Sequence, residues 1–246
     1  MSPREFLPTP AGLELAAGTV HVWLAALDAG ESRLGALRTL LTDEERGRAD
    51  RFVQPQHRVH YATARGMLRE LLGRALGVEP GEVAFQFNAH GKPSLAGAAA
   101  ESGLRFNVSH SHGMGLFALA RGRELGVDLE RIRPDFAALK IAERFFSKGE
   151  SARLRALPAA EQARAFFECW TRKEAYVKAR GDGLTRALGS FEVGFGPGVA
   201  ATVLRADDEP DAAARWSAWD LPAPEGFAGA VIVERPVDAV HCWRTE

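Results

Sequence analysis

The sequence predicts an α+β fold built as two similar halves with a cleft between them, and three observations carry that expectation. Short apolar runs alternate with period two, as half-buried strands do. Between them, apolar residues recur at three- and four-residue spacing, the period of a helix. The order strand, helices, several strands occurs twice, first over residues 20–120 and again over 125–240. This divides the chain into an extended N-terminal segment (1–19), a first α+β half (20–122) and a second (123–246), joined near Arg121–Glu124. A cleft between two such halves is the expected place for a ligand.

The N-terminal segment holds Pro3, Pro8 and Pro10, which prevent long regular structure. Thr19–Asp28 begins as a strand, with Val20, Val22 and Leu24 on one side. Thr42 and Glu45 have the capping-box spacing that opens a helix. His57–Gly77 reads as a buried helix with Tyr61, Ala64, Leu68, Leu71, Leu72 and Leu76 as its stripe, and Arg65 lies beside that stripe. Val83–Asn88 alternates again before the turn His90-Gly91-Lys92-Pro93. Leu104–Ser109, Gly115–Ala120 and Leu125–Glu130 read as three strands. Helical patterns return over Asp135–Phe146, Lys148–Leu157 and Phe166–Gly183. Closing strands are expected at Phe191–Phe195, Ala200–Arg205, Trp216–Leu221 and Ala228–Val233.

Composition narrows the function classes. In 246 residues with 46% hydrophobic content there is material for a substantial core. A net charge of −1 argues against non-specific binding to nucleic acid or to an anionic membrane. No apolar run approaches the ~20 residues of a membrane helix, and no leader pattern is present. A cytoplasmic, monomeric protein is expected. Cys169 and Cys242 lack metal-ligand or redox spacing and read as buried free thiols.

Phe166–Gly183 is the stretch around which the chemistry gathers. Phe167, Trp170, Thr171, Glu174, Val177 and Lys178 form one stripe running from aromatic to charged, and Gly181 stops the helix. Upstream, Asp128 and Glu130 flank Leu129 on a strand, so both carboxylates point the same way, about 7 Å apart along the backbone. With Glu174 they make three hard oxygen ligands without His or Cys. Such a set suits Mg²⁺, whose coordination is usually completed by water and substrate phosphate oxygens, so a phosphate or pyrophosphate ester is the implied substrate. In Asn107-Val108-Ser109-His110-Ser111-His112 the paired histidines have no third zinc ligand nearby. Ser109 lacks the flanking glycines of a nucleophile elbow. Ser109 and His110 together could instead hold a phosphate. Arg48, Arg51, Arg58, Arg65 and Lys92 supply positive charge, Lys92 from a constrained turn. No Walker loop, G-x-G-x-x-G or H-E-x-x-H is present.

HGKPSL, FNVSHS, GVDLE, RFFSKGE and CWTRKEAYVKARGDGL, in this order, resemble the Sfp-like 4′-phosphopantetheinyl transferases from about Thr42 to Leu184. The resemblance implies two pseudo-twofold related α+β halves with the active site between them. It implies transfer of the phosphopantetheine arm of coenzyme A to a serine of an acyl or peptidyl carrier protein, with release of adenosine 3′,5′-bisphosphate. By that match Asp128, Glu130 and Glu174 hold Mg²⁺ on the pyrophosphate. Lys178 neutralises developing charge, and Glu174, directly or through water, takes the serine proton. Lys92, Ser109 and His110 stand at positions associated with coenzyme A phosphates, joined by Arg48 and Arg65. The chain departs from the family pattern at Glu45, where a basic residue often faces the 3′-phosphate, which leaves Arg46 or Arg65 to compensate. The competing readings are another Mg²⁺-dependent enzyme acting on a nucleotide pyrophosphate, and a carrier-binding module without catalysis.

Overall fold

In the computed structural model, residues 3, 5–10, 12, 14–183 and 186–245 are described. Met1, Ser2, Arg4, Ala11 and Leu13 of the expected extended segment, Leu184 and Thr185 after the expected helix Phe166–Gly183, and Glu246 lie outside them.

The chain is a mixture of helix and sheet, as the patterning predicts. A five-stranded sheet has the order β1-β12-β2-β6-β5, formed by Leu7–Pro8 (β1), Thr19–Ala26 (β2), Leu104–Ser111 (β5), Met114–Arg121 (β6) and Ala239–Arg244 (β12). A three-stranded sheet is ordered β10-β11-β7 from Trp216–Asp220, Phe227–Glu234 and Leu125–Arg131. Two hairpins, Phe85–Phe87 with Pro93–Leu95 (β3, β4) and Phe191–Gly194 with Thr202–Ala206 (β8, β9), complete the strands.

Among the described residues, three larger apolar cores separate the layers, and a small fourth cluster of Leu41, Ala49 and Ala62 lies beside them. Helix α3 (Pro55–Leu76) packs Leu68 and Leu72 on Trp23, Phe106 and Phe117 of the first sheet. The two sheets pack on each other through Val22, Leu116 and Ala118 on one side and Leu125, Val127 and Leu129 on the other. Helix α6 (Ala159–Arg180) covers the far face of the second sheet with Phe166, Tyr176 and Val177 against Ala230 and Ile232. Strand β7 therefore turns its odd-numbered residues to the first sheet and its even-numbered ones to α6. The period-two reading of Asp128 and Glu130 rests on this alternation.

Several elements differ from expectation. Helix α6 begins at Ala159, seven residues before Phe166, directly after Pro158 at its N-cap. Its first turns are Ala-Ala-Glu-Gln-Ala-Arg, good helix formers with no apolar stripe to reveal them. Helices Ala138–Phe145 (α4) and Lys148–Ala156 (α5) occupy the two predicted segments, α5 opening on a Ser147–Glu150 capping box. On α3 the fully buried cation is Arg69, at 1% exposure, one turn beyond the expected Arg65. The expected boundary at 123 does not coincide with sheet membership, because β12, from the far end of the second half, lies parallel to β2 in the first sheet.

The sheets also meet edge to edge. Strands β5 and β7 share no backbone ladder. Instead Asn107 Oδ1 accepts from Val127 N–H (3.0 Å), Ser109 Oγ from Leu129 N–H (3.3 Å) and Ser111 Oγ from Arg131 N–H (3.2 Å). Alternate side chains of FNVSHS thus satisfy the edge of GVDLE, as buried backbone donors require.

Candidate active site

At this edge-to-edge junction α6 crosses β7, and Gly126 decides how closely. A Cβ at Gly126 would stand 2.1 Å from the Ala175 carbonyl oxygen and 2.4 Å from the Ala179 nitrogen, so helix backbone lies directly on the strand. Lys178, one turn further, reaches down to Asp128 Oδ1 at 2.7 Å, Ser109 Oγ at 3.0 Å and the Val127 carbonyl at 3.2 Å. Ser109 Oγ donates to Asp128 Oδ1 at 2.7 Å. Ser111 Oγ donates to Glu130 Oε2 at 3.0 Å. The remaining oxygen of Asp128, Oδ2, is buried with no hydrogen-bond partner among the described residues.

The acids feel one another. Burial, then the Asp128 charge, push the Glu130 carboxyl above its usual range, against the Ser111 hydrogen bond and Lys178. Burial, then Asp128, raise Glu174 in the same way, with Lys178 opposing and Glu130 adding to the rise. Asp128, Glu130 and Glu174 therefore share one electrostatic neighbourhood with Lys178 as its cation. Among the described residues, no three His, Cys, Asp or Glu side chains are gathered as closely as the ligands of a bound ion would be. What fits a divalent cation is the donor set itself: an unpartnered buried carboxylate oxygen beside two carboxyls that repel one another.

The cationic and hydroxyl residues are placed less uniformly. Arg48 and Arg65 line one cavity of about 320 Å³ with Tyr61, Phe85 and Phe87. Arg48 lies over Tyr61 at 5.5 Å and Arg65 over Phe85 at 4.0 Å. Glu45, where the family pattern suggests a base, closes the α2 capping box (helix Asp43–Asp50) and receives Arg65 at 2.6 Å and Arg69 at 2.8 Å. Burial opposes its charge, but Arg69, the Thr42 N–H and Arg65 together hold its carboxyl below the ordinary value. Arg46 donates to the Arg38 and Leu41 carbonyls and to Asp43 and does not line this cavity, whereas Arg65 does. His110 lies near the end of β5, where loss of solvent around the ring, then the nearby Lys178 charge, lower its pKa.

Two residues expected at coenzyme A phosphates have partners within the chain. Ser109 gives its hydroxyl proton to Asp128 and accepts from Leu129 N–H and Lys178. Lys92 is likewise engaged, with Glu124 Oε2 at 2.8 Å and the Ala179 carbonyl at 2.9 Å. Three residues to which the sequence motifs assign no role shape this junction: Asn107 and Ser111 by joining the sheets, and Gly126 by admitting α6. The period-two N-x-S-x-S spacing was the only signal for the first two.

Residues 28–120 match the family model described as "4′-phosphopantetheinyl transferase, N-terminal", and residues 124–232 match "4′-phosphopantetheinyl transferase superfamily". The chain belongs to the 4′-phosphopantetheinyl transferase superfamily and is an enzyme of that class. It is 40% identical over 233 residues to 4′-phosphopantetheinyl transferase HetI of Nostoc sp., covering 95% of each chain. It is 32% identical to the transferase psf-1 of Bacillus pumilus, covering 83% of this chain and 84% of that one. Against 4′-phosphopantetheinyl transferase Sfp of Bacillus subtilis it is 29% identical over 63% of this chain and 66% of the relative. No helix among the described residues is long and apolar enough to cross a membrane.

Proposed function

We propose that this chain moves the 4′-phosphopantetheine arm of coenzyme A to a serine of an acyl or peptidyl carrier protein, in a Mg²⁺-dependent reaction that releases adenosine 3′,5′-bisphosphate. Family membership supports the transfer of phosphopantetheine to carrier proteins. The observation that carries the chemical detail is the unpartnered, buried Asp128 Oδ2 amid Glu130 and Glu174.

Asp128, Glu130 and Glu174 would hold the ion. When bound, Mg²⁺ supplies positive charge against the coenzyme A pyrophosphate and brings ordered water. The residues of the chain do the rest. Lys178, fixed on Asp128 and Ser109, keeps a cation beside the reacting phosphorus and meets the charge that develops as the pyrophosphate bond breaks. Glu174 Oε would accept the proton of the carrier serine, directly or through water, as the serine oxygen bonds to the phosphorus and the pyrophosphate P–O bond breaks to release adenosine 3′,5′-bisphosphate. Arg48 and Arg65, in their aromatic-lined cavity, and His110 at the end of β5 receive the outer phosphates of coenzyme A. Positioning and charge are sufficient for phosphoryl-centre chemistry, and no protein nucleophile is required. The two 22-residue helices α3 and α6, each laid on its own sheet, are what an approximate twofold relation between the halves would produce.

Intact-mass analysis of an apo carrier protein incubated with this chain, coenzyme A and Mg²⁺ tests the reading. A gain of one phosphopantetheine is expected, abolished by excess chelator and restored by added Mg²⁺. Hydrolysis of coenzyme A without carrier modification would favour the pyrophosphatase reading, and carrier binding without transfer the non-catalytic one.

A further inference from the structure

The end of α6 is held from the other half of the molecule. The last carbonyls of a helix have no partner within it, and in α6 two of the carbonyls at this end are met by a turn of the first half. Lys92 Nζ donates to the Ala179 carbonyl at 2.9 Å, and Asn88 Nδ2 to the Gly181 carbonyl at 3.1 Å. Asn88 also folds that turn, its Oδ1 accepting from His90 N–H at 2.9 Å and Lys92 N–H at 2.8 Å. A cation at this position also suits the negative end of the helix dipole.

Lys92 reaches a second element at the same time. Its ammonium pairs with Glu124 Oε2 at 2.8 Å, and Glu124 is the residue immediately before β7. Arg105 holds the other oxygen of Glu124 at 2.9 Å. One side chain, 17% exposed, thus ties the exit of α6 to the entry of β7. These are the two elements that carry Glu174 and Lys178, and Asp128 and Glu130. The fit is close: a Cβ at Gly181 would meet Asn88 Nδ2 and Lys92 Cδ at 3.3 Å, and one at Gly183 would meet His90 Cβ at 2.8 Å.

We propose that Lys92 is a positioning residue, whose ammonium clasps the C-terminal end of α6 to the start of β7 and so sets the spacing between Glu174 and the Asp128–Glu130 pair, and that it does not bind a coenzyme A phosphate. The kinetic consequence rests on the transfer reaction proposed above; the clasp itself does not.

Lys92→Met keeps the aliphatic stem and removes the donors. The expected outcome is a fall in kcat of about tenfold, with the KM for coenzyme A within about twofold of the parent, as for a contact that acts on the transition state and not on ground-state binding. The loss is the same with dephospho-coenzyme A as donor, and Lys92→Arg, which can still bond a carbonyl and a carboxylate, restores most of the rate. Hydrogen exchange at the amides of residues 177–181 accelerates about tenfold in Lys92→Met while that of α3 is unchanged, the signature of a local opening. A KM raised tenfold with kcat intact, or a defect that vanishes with dephospho-coenzyme A, would make Lys92 a phosphate ligand and overturn the proposal. Unchanged exchange at 177–181 would overturn it equally. Should the parent chain transfer nothing, the reaction assignment fails while the exchange measurement still decides the clasp.

Discussion

Replacing Gly126 with alanine inserts one methyl group where the helix backbone lies on the strand. Its carbon would fall 2.1 Å from the Ala175 oxygen, 2.4 Å from the Ala179 nitrogen and 2.9 Å from the Lys178 carbonyl carbon. Ordinary contact begins near 3.4 Å, so α6 must retreat from β7 by more than about 1 Å. None of the three contacts is a side chain that could rotate away. A retreat of that size breaks the 2.7 Å Lys178–Asp128 contact and withdraws Glu174 with it. Overpacking of this kind costs about 1–3 kcal/mol of stability, and a displacement near 1 Å costs about 100-fold in rate. The assay is carrier modification followed by intact mass, paired with urea unfolding of the same preparations. Gly126→Ala should remain folded and lose transfer far beyond its loss of stability. A variant with parental rate and parental unfolding midpoint would refute the claim that backbone contact sets the height of α6.

Other perturbations bear on separate parts of the molecule. Asp128→Asn and Glu174→Gln should each abolish carrier modification in the mass assay while leaving the unfolding midpoint near that of the parent; near-normal transfer by either would remove the three-acid site. Lys173 and Glu150 form a fully buried pair at 2.8 Å, so Lys173→Met strands a carboxylate and should cost about 3–5 kcal/mol in urea unfolding. His21 is buried, accepts from Trp243 Nε1 at Nδ1 and meets Thr19 Oγ1 at Nε2; burial and then the charge of His241 lower its pKa to about 4. The unfolded chain takes up that proton near pH 6.5 and the folded one does not. Stability is therefore full above pH 6.5 and falls by up to about 3 kcal/mol as pH drops towards 4. His21→Asn should abolish that part of the slope, measured as the difference between parent and variant unfolding curves.

What the sequence made legible was local. The Thr42–Glu45 box is a three-residue relation, Asp128 and Glu130 share a face because strands have period two, and Glu174 and Lys178 are four apart on one helix. The partners of these side chains were not legible, because a partner is a tertiary fact. Nothing in FNVSHS says that Ser109 will spend its hydroxyl on Asp128, nor in HGKP that Lys92 will reach Ala179, 87 residues away. Strand β12 escaped for the same reason: its Ala239–Arg244 run finds its ladder on Thr19–Leu24, more than 200 residues earlier. Glu45 broke the family pattern in sequence, and its two arginine partners supply the structural reason.

That late strand has a bearing on how the protein is made. During synthesis β2 and its neighbour β6 emerge early, yet the β12 side of β2 stays open, with Trp23 and Val22 beside it, until residues 239–244 have been added. The first sheet is thus among the last parts to be finished. A nascent chain stopped short of Ala239 would present an unpaired, apolar strand edge of the kind that recruits other strands, so truncations there should aggregate even though every proposed catalytic residue is already in place.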